Sequence, residues 1–255
     1  MPLFEGEPLP AGGTYPPSFR AGMIRIDVSG YQRDLARIGD AAGVTHLFDP
    51  AVLSGGIVPD RAALGVSWSL AGAATAAPSP ASINGRPALR FDHNATRWFR
   101  SSSLRPAGSF SVIMAWEVSD ADAAVLPSVL WGIGPANPPV GHVRYQDGQL
   151  RYLSTNVDAD GVIQSGIAPG QRIAIFSYDA DTATGAVMRR DGSIVSTPFA
   201  APPSDTAWNI GGWQDGYSAS AKIGLTAIST RPLASAAWRA LGKELIDCIA
   251  AEYGI

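Results

Sequence analysis

The sequence has 255 residues, with 19 Lys+Arg against 22 Asp+Glu, and carries a formal net charge of −3. That balance argues against electrostatic binding of nucleic acid, which needs a basic surface. The 28 glycines and 20 prolines are typical of a loop-rich β protein, and the single cysteine, Cys248, excludes an internal disulfide. No stretch approaches the ~20 apolar residues needed to span a bilayer, so we expect no membrane segment.

The N-terminal segment, residues 1–44, differs from the rest of the chain. Residues 1–20 are rich in Pro and Gly and show no hydrophobic periodicity, which predicts an extended arm. Met23–Val28 predicts a short strand, and Tyr31–Ile38 predicts one or two helical turns. Residues 1–13 lack the basic and apolar regions of a signal peptide. The aromatic residues of the arm favour docking, either onto the rest of this chain or onto a partner subunit.

Residues 45–255 contain short apolar runs separated by Gly, Pro and Asp turns, which predict an antiparallel β-sandwich or jelly roll. Ser109–Val118 is the strongest run and is apolar on both faces, which predicts a central strand. Asp147-Gly148 and Asp191-Gly192 predict the turns of two hairpins. The other predicted strands are Arg86–Asp92, Trp98–Arg100, Val129–Ile133, His142–Tyr145, Gln149–Leu153, Arg172–Tyr178, Ala186–Arg190, Ser193–Thr197 and Trp208–Gly211.

The C-terminal stretch, Trp208–Ile255, predicts a strand, a glycine-rich turn, a second strand and a closing helix. Lys222–Ser229 alternates apolar and polar residues, which predicts a strand with one buried face. Ser235 is a plausible N-cap of the helix and Gly254 a C-cap. The predicted apolar face of that helix consists of Trp238, Leu241, Leu245, Cys248, Ile249 and Tyr253.

This ending resembles that of the concanavalin A-like, laminin-G-like sandwich domains found in many phage and bacterial surface proteins. The resemblance rests on the strand Lys222–Ser229, on Arg231-Pro232-Leu233, and on AAEYGI at residues 250–255. A second match is INGRPALRFD at residues 83–92. The resemblance implies one all-β concanavalin A-like antiparallel β-sandwich over residues 45–255, a short C-terminal helix, and an arm over residues 1–44.

The chain departs from that family at two places. Leu70-Ala71-Gly72 lacks the usual Asp and Ser, and His93 stands where a Gly is expected. We therefore do not carry over any polar or cation site built there in relatives.

Catalytic residues are not expected, although the family includes glycan hydrolases. A retaining glycosidase needs two carboxyl groups about 5 Å apart, and the E-x-D-x-x-E motif of the hydrolases is absent. Glu117 is the only glutamate in the body of the predicted sandwich. Asp120/Asp122 and Asp158/Asp160 lie in turn-like stretches, and the latter lacks the closing Glu of a calcium loop. The histidines have no metal-ligand spacing, so we expect no metal and no cofactor.

Trp213, Asp215 and Tyr217 form the candidate glycan-binding site. Sugars are bound by stacking on Trp and Tyr together with a few fixed polar groups, and this glycine-rich turn carries both. The alternative is that Trp213 and Tyr217 only cover the edge of a sheet.

These observations predict a non-enzymatic virion structural protein, such as a spike, fibre or decoration of a phage or gene-transfer-agent-like particle. It would be made in the cytoplasm, attach to other particle subunits through the N-terminal arm, form a homo-oligomer, and bind cell-surface polysaccharide. Two alternatives stay open: a stand-alone carbohydrate-binding module, and a glycan hydrolase with an atypical Asp pair.

Overall fold

The computed structural model describes residues 30–63, 65–93, 95–124, 128–134, 142–146, 148–153, 162–164, 168–199, 202, 206–214 and 217–255. The predicted arm and the predicted strand Met23–Val28 lie outside the described residues. The helices are α1 (Gly30–Ala41), α2 (Asp120–Ala123) and α3 (Arg239–Tyr253), with a 3-10 turn at Pro50–Val52. Within these ranges no helix combines the length and the apolar character needed to cross a membrane.

The first sheet is antiparallel, with its strands in the spatial order β14 (Ile194–Pro198), β13 (Thr184–Arg189), β12 (Gly170–Asp179), β7 (Phe110–Val118), β18 (Ala221–Ser229), β5 (Arg86–Phe91) and β4 (Ser79–Ile83). An eighth strand, β1 (Val44–Phe48), pairs with the C-terminal part of β18. The strand β7 lies between β12 and β18, which confirms that this apolar run is central.

The second sheet is also antiparallel, with the order β11 (Val162–Gln164), β10 (Gln149–Leu153), β9 (His142–Gln146), β8 (Ser128–Ile133), β15 (Ala207–Ile210), β6 (Trp98–Leu104), β3 (Ser67–Ala71) and β2 (Ile57–Pro59). A separate hairpin consists of β16 (Gly212–Gln214) and β17 (Tyr217–Ser218). The predicted all-β sandwich with a C-terminal helix is confirmed.

The inner faces of the two sheets enclose an aromatic core. Trp131 contacts Phe110, Phe176 and Trp208 at ring-centroid distances of 6.1, 6.1 and 6.4 Å. Phe48 makes an edge contact with a further buried tryptophan at 5.6 Å. Burying each large apolar side chain contributes about 1.5–3 kcal/mol, so this core is the main source of stability.

A second core lies on the outer face of the first sheet, beneath α1 and α3. Leu35 and Ile38 of α1 and Leu245 and Ile249 of α3 are buried there against outward-facing residues of the first sheet, such as Ile113. The predicted helical turns at Tyr31–Ile38 therefore belong to a longer helix that packs on the sandwich. Because both helices cover this sheet, its central strands are buried on both faces.

The strand β18 was predicted to have one buried face, and this prediction is wrong. A β-bulge between Ile223 and Thr226 changes the alternation, so Ile223 points into the inner core and Leu225 into the helix-covered core. The hydroxyl of Tyr253 accepts a 2.7 Å hydrogen bond from the Leu225 N–H and donates a 2.9 Å bond to the Pro87 carbonyl. The closing helix thus holds the bulge in place.

The closing helix begins later than predicted. Its N-cap is Trp238 rather than Ser235, and no side chain caps it. Trp238 is half-buried and lies under the guanidinium of Arg231, 3.9 Å from the ring centroid, so it is not the deeply buried residue that the helical pattern predicts. The C-cap prediction is confirmed, since Gly254 adopts φ 63°, a left-handed conformation that glycine accepts without strain.

Candidate functional site at the β16–β17 hairpin

The predicted site residues fall on the small hairpin of β16 and β17. Gly212 pairs with Ser218 and Gln214 with Tyr217, so Trp213 and Tyr217 lie on opposite strands of the same ribbon. Asp215 lies outside the described residues. The structure therefore places the backbone of two of the three predicted residues in one hairpin.

The hairpin is fixed to the sandwich at both ends. Before it, the N–H of Gly211 donates to the Leu130 carbonyl at 2.8 Å. After it, the Ala219 N–H donates to the Gly211 carbonyl at 2.8 Å, and a ring nitrogen of His93 lies 3.1 Å from the Ser218 carbonyl. An isolated two-stranded hairpin is marginally stable in water, so these anchors set its position.

Two buried serines continue the anchor. The hydroxyl of Ser128 accepts a 2.8 Å bond from the Ser220 N–H and donates a 3.2 Å bond to the Ser220 carbonyl. One hydroxyl thereby satisfies both backbone groups of a buried residue, as a strand pairing would. The hydroxyl of Ser220 itself donates to Oδ1 of Asp122 at 2.8 Å.

Asp122 is the centre of this anchoring network. It is 3% exposed and accepts bonds of 2.7 and 2.5 Å from the two Nη atoms of Arg90. The N–H and hydroxyl of Ser119 donate to it at 3.0 and 2.8 Å, which completes the capping box of α2. Burial alone would raise the pKa of Asp122, but Arg90 and the serine donors outweigh burial and lower that pKa to about 2.

Sequence reasoning treated Asp120/Asp122 only as turn residues and did not find this network. One local signal was present, because Ser119-x-x-Asp122 matches the capping-box pattern. The partner Arg90 is 32 residues away in sequence, and no local pattern indicates such a pairing.

Two carboxylates elsewhere in the described chain have structural partners. Asp60 accepts from the Leu47, Ala62 and Ala63 N–H groups at 2.9, 2.9 and 3.0 Å, and from Nε1 of Trp68 at 3.0 Å. Glu117 lies 2.6 Å from Nζ of a lysine on the neighbouring strand. The oxygens of these two carboxylates already accept hydrogen bonds from, or pair with, groups of the fold, so they are not candidate catalytic groups. Asp158 and Asp160 lie outside the described residues.

Among the described residues, the closest approach to a catalytic arrangement is a His–Ser contact. Nε2 of His46 lies 2.5 Å from the Ser103 hydroxyl, and Nδ1 lies 3.0 Å from the Thr45 hydroxyl. A serine hydrolase would place a carboxylate at Nδ1, where this chain has a hydroxyl. Burial lowers the pKa of His46. Across the described part of the chain, no three His, Cys, Asp or Glu side chains come together as a metal-binding group.

Comparison with known proteins identifies the fold and not a family. No known protein family matches the sequence, and no curated protein does. A Trypanosoma rangeli sialidase in complex with 2,3-difluoro-KDN matches 83% of this chain at 12% identity with a TM-score of 0.58. The chain spans about a third (33%) of that sialidase.

Two smaller domains match as well. The binding domain of botulinum neurotoxin DC, in complex with SialylT, matches 85% of this chain and 52% of its own length at 8% identity and a TM-score of 0.58. Domain 4 of AbnA, an arabinanase from Geobacillus stearothermophilus in complex with arabinotriose, matches over 98% of its own length and 79% of this chain, at 14% identity and a TM-score of 0.53. At these identities the likeness shows a shared lectin-like β-sandwich fold.

Proposed function

We propose that this chain is a carbohydrate-binding β-sandwich without catalytic activity, displayed on the surface of a phage or gene-transfer-agent-like particle. The observation that carries the proposal is the β16–β17 hairpin, which bears Trp213 and Tyr217 and is anchored to the sandwich at both ends. Aromatic side chains on a fixed support stack on sugar rings with little loss of conformational freedom.

The shared fold supports the carbohydrate-binding part of the proposal. Domain 4 of AbnA corresponds to this chain over almost its whole length and is described in complex with arabinotriose. The botulinum binding domain is described in complex with SialylT. A sandwich of this architecture is therefore a sufficient scaffold for a glycan site.

Binding of the purified full chain to an array of oligosaccharides and bacterial polysaccharides tests this part. We expect Trp213→Ala to weaken binding about three- to ten-fold, because an aromatic contact contributes about 0.5–1.5 kcal/mol beyond its area. The matched control is Trp238→Ala, which removes a half-buried tryptophan next to the closing helix. If Trp213→Ala unfolds the protein, or if the wild type binds no glycan, this part of the proposal is wrong.

The particle role rests on the predicted N-terminal arm. The arm would connect each copy to other particle subunits, in a homo-oligomer whose sandwiches face outward. Deleting Met1–Arg20 should abolish incorporation into particles and leave the melting temperature of the sandwich unchanged. Normal incorporation of the truncated chain would refute attachment through the arm, whereas absence of the full chain from particles would favour a stand-alone carbohydrate-binding module.

The enzyme alternative has a direct test. Incubating the protein with a polysaccharide that it binds should leave the size distribution of that polysaccharide unchanged. A progressive reduction in size that Asp122→Asn does not alter but Asp158→Asn or Asp160→Asn abolishes would establish a hydrolase with an atypical Asp pair.

A further inference from the structure

A cluster of polar side chains lies at one end of the core between the two sheets. On β1, His46 and Phe48 are two residues apart, so they share a face of the strand, and Phe48 belongs to this core. On β6, Ser101 and Ser103 follow the core residue Phe99 at the same interval. Three polar residues therefore lie where the inner faces of a sandwich normally present apolar ones.

The hydroxyl of Ser103 is the centre of this cluster. It lies 2.5 Å from Nε2 of His46 and 2.9 Å from the hydroxyl of Ser101, which also accepts a 3.1 Å bond from the Ser103 N–H. At the other nitrogen of the imidazole, Nδ1 lies 3.0 Å from the hydroxyl of Thr45. That hydroxyl donates a 3.4 Å bond to the Ile228 carbonyl. The four side chains thus form one continuous chain of hydrogen bonds.

The protons of the three hydroxyls assign the tautomer of His46, because each hydroxyl donates only one. Thr45 donates to a carbonyl, so it accepts from Nδ1–H, and Nε2 then carries no proton. Nε2 accepts from Ser103, which in turn accepts from Ser101. The reverse order would leave the Ser101 proton without an acceptor among the described residues. The lone pair of Nε2 is therefore directed at the Ser103 O–H.

Ser103 is the member of the cluster that solvent reaches. His46 is 7% exposed and Ser101 is 4% exposed, whereas Ser103 is half-buried. The next residue on β6, Leu104, is 58% exposed. A molecule in solution can therefore contact the Ser103 hydroxyl, while the imidazole behind it is shielded from water.

The surroundings of His46 suit a general base. Burial lowers the pKa of His46, and the negative charge of Asp60 opposes that shift, so the imidazole is neutral at pH 7. Asp60 is held nearby, because it accepts from the Leu47 N–H at 2.9 Å and from Nε1 of Trp68 at 3.0 Å. The ring of Trp68 makes an edge contact with the imidazole at 6.2 Å. The charge of Asp60 favours the imidazolium that forms when the imidazole takes a proton.

We propose that Ser103 is a reactive nucleophile, activated by His46 as a general base, whose hydroxyl accepts an acyl group from activated carboxylic esters. A serine bonded to a neutral imidazole, whose other nitrogen is held by a third group, is the arrangement that activates a hydroxyl. Thr45 is the third group here and acts as a positioning residue, in the place where a hydrolase has a carboxylate.

The reactive serine lies away from the proposed glycan site. Ile210, which leads into the β16–β17 hairpin, pairs with Phe99 near the beginning of β6, and Ser103 lies near the end of that strand. The separation along the strand is about 13 Å. Reactivity of Ser103 and glycan binding at the hairpin are therefore independent properties.

The proposed reaction transfers one acyl group, with the ester as its only co-reactant. Oγ of Ser103 attacks the ester carbonyl carbon while Nε2 of His46 takes the hydroxyl proton. The tetrahedral adduct then collapses, the bond between the carbonyl carbon and the leaving oxygen breaks, and Nε2 returns the proton to the leaving alcohol. The products are O-acyl-Ser103, the free alcohol and a neutral His46. Each chain accepts one acyl group, so Ser103 is a modification site.

Labelling of the full chain with p-nitrophenyl acetate tests the reactivity of Ser103. Absorbance follows the release of p-nitrophenolate, and fragmentation of the peptides by mass spectrometry after an acid quench locates the acetyl group. We expect one acetyl group on Ser103, and we expect His46→Gln to slow its attachment about 100-fold or more, since general-base catalysis contributes about 10²–10⁴-fold. Ser102→Ala is the matched control: it removes the neighbouring exposed hydroxyl on the opposite face of β6 and should react as the wild type does.

Two substitutions of Thr45 separate the chemistry from the folding. Thr45→Val removes the hydroxyl that holds Nδ1 and should slow acetylation of Ser103 about three- to ten-fold. Thr45→Ser keeps a hydroxyl there and should restore most of the rate. Melting curves identify the variants that fold, and a purely structural role of Thr45 would leave the rate of a folded Thr45→Val chain unchanged. If His46→Gln does not fold, the Thr45 pair decides the question.

The opposite results overturn the inference without affecting the proposed glycan binding. Equal acetylation of Ser102 and Ser103, or no acetyl group on Ser103, would show that this hydroxyl is not activated. A rate that a folded His46→Gln chain leaves unchanged would refute the general base. Release of more than one equivalent of p-nitrophenolate, abolished by Ser103→Ala, would support the activated serine and refute the non-catalytic part of the proposed function.

Discussion

Replacing Asp122 by asparagine tests whether the anchoring network behind the hairpin stabilises the fold. The change preserves size and removes the charge that Arg90 contacts through both Nη atoms. Removing one partner of a buried ion pair costs about 3–5 kcal/mol. Arg90 keeps a second contact, Nε to Asp92 at 2.9 Å, and its side chain is 28% exposed, so we expect the lower end, about 3 kcal/mol.

The lowered pKa of Asp122 gives a second value for the stability that its ionised form contributes. Burial opposes ionisation, but Arg90 and the serine donors lower the pKa from 3.8 to about 2. A carboxyl group whose pKa is lowered by folding contributes stability above its unfolded pKa and loses that contribution as the pH falls through the folded value. Here the contribution is about 2 kcal/mol above pH 5, and about half of it is lost by pH 3.

The assay is urea unfolding followed by tryptophan fluorescence, at pH 7 and at pH 3. We expect the free energy of unfolding of Asp122→Asn to be about 3 kcal/mol below that of the wild type at pH 7, and the gap to narrow at pH 3. Asp181→Asn is the control, since Asp181 is exposed in the turn between β12 and β13. A gap that does not change with pH, or an asparagine variant as stable as the wild type, would refute the assigned role of Asp122.

Two further changes test the packing around the hairpin and the closing helix. Gly211 has φ +80°, and an alanine there would place its Cβ 2.1 Å from the Phe91 ring, so we expect Gly211→Ala to yield no soluble folded protein. Gly85→Ala is the control, because Gly85 has nearly the same φ, +79°, but open space around it. Thermal melting should show that Gly85→Ala costs only about 1–2 kcal/mol. Tyr253→Phe removes a hydroxyl that bonds two backbone groups and should lower the free energy of unfolding by about 1–3 kcal/mol, and an unchanged melting temperature would contradict that role.

The parts of the fold that could be predicted are those whose pattern is local and strongly apolar. The run that became β7 is apolar on both faces, and this alone indicates a central strand. The strand β4 was missed, because SPASI continues a stretch of Ala, Pro and Ser and only Ile83 is deeply buried. The second buried face of β18 is covered by α3, which begins about ten residues after the strand ends. The hydrophobic periodicity within the strand does not indicate that such a helix covers it.

The candidate site also has a part that the sequence predicts and a part that it does not. A glycine-rich turn with two aromatic residues is visible in the sequence, and the structure shows a two-stranded hairpin there. Nε of Arg100 donates to Oδ1 of Asn209, which is 109 residues away. This contact forms because two strands that are distant in sequence become neighbours in the sheet, so no local motif in either strand predicts it.

The two cores give the molecule two unlike sides. One side is formed by α1 and α3, and the first described residue, Gly30, begins α1 on that side. The other side is formed by the second sheet. A subunit tethered through the residues that precede Gly30 would therefore turn its second sheet away from the tether. On a particle with many copies, weak contacts from each copy to one long polymer would act together, and their combined avidity would exceed the affinity of a single copy by orders of magnitude.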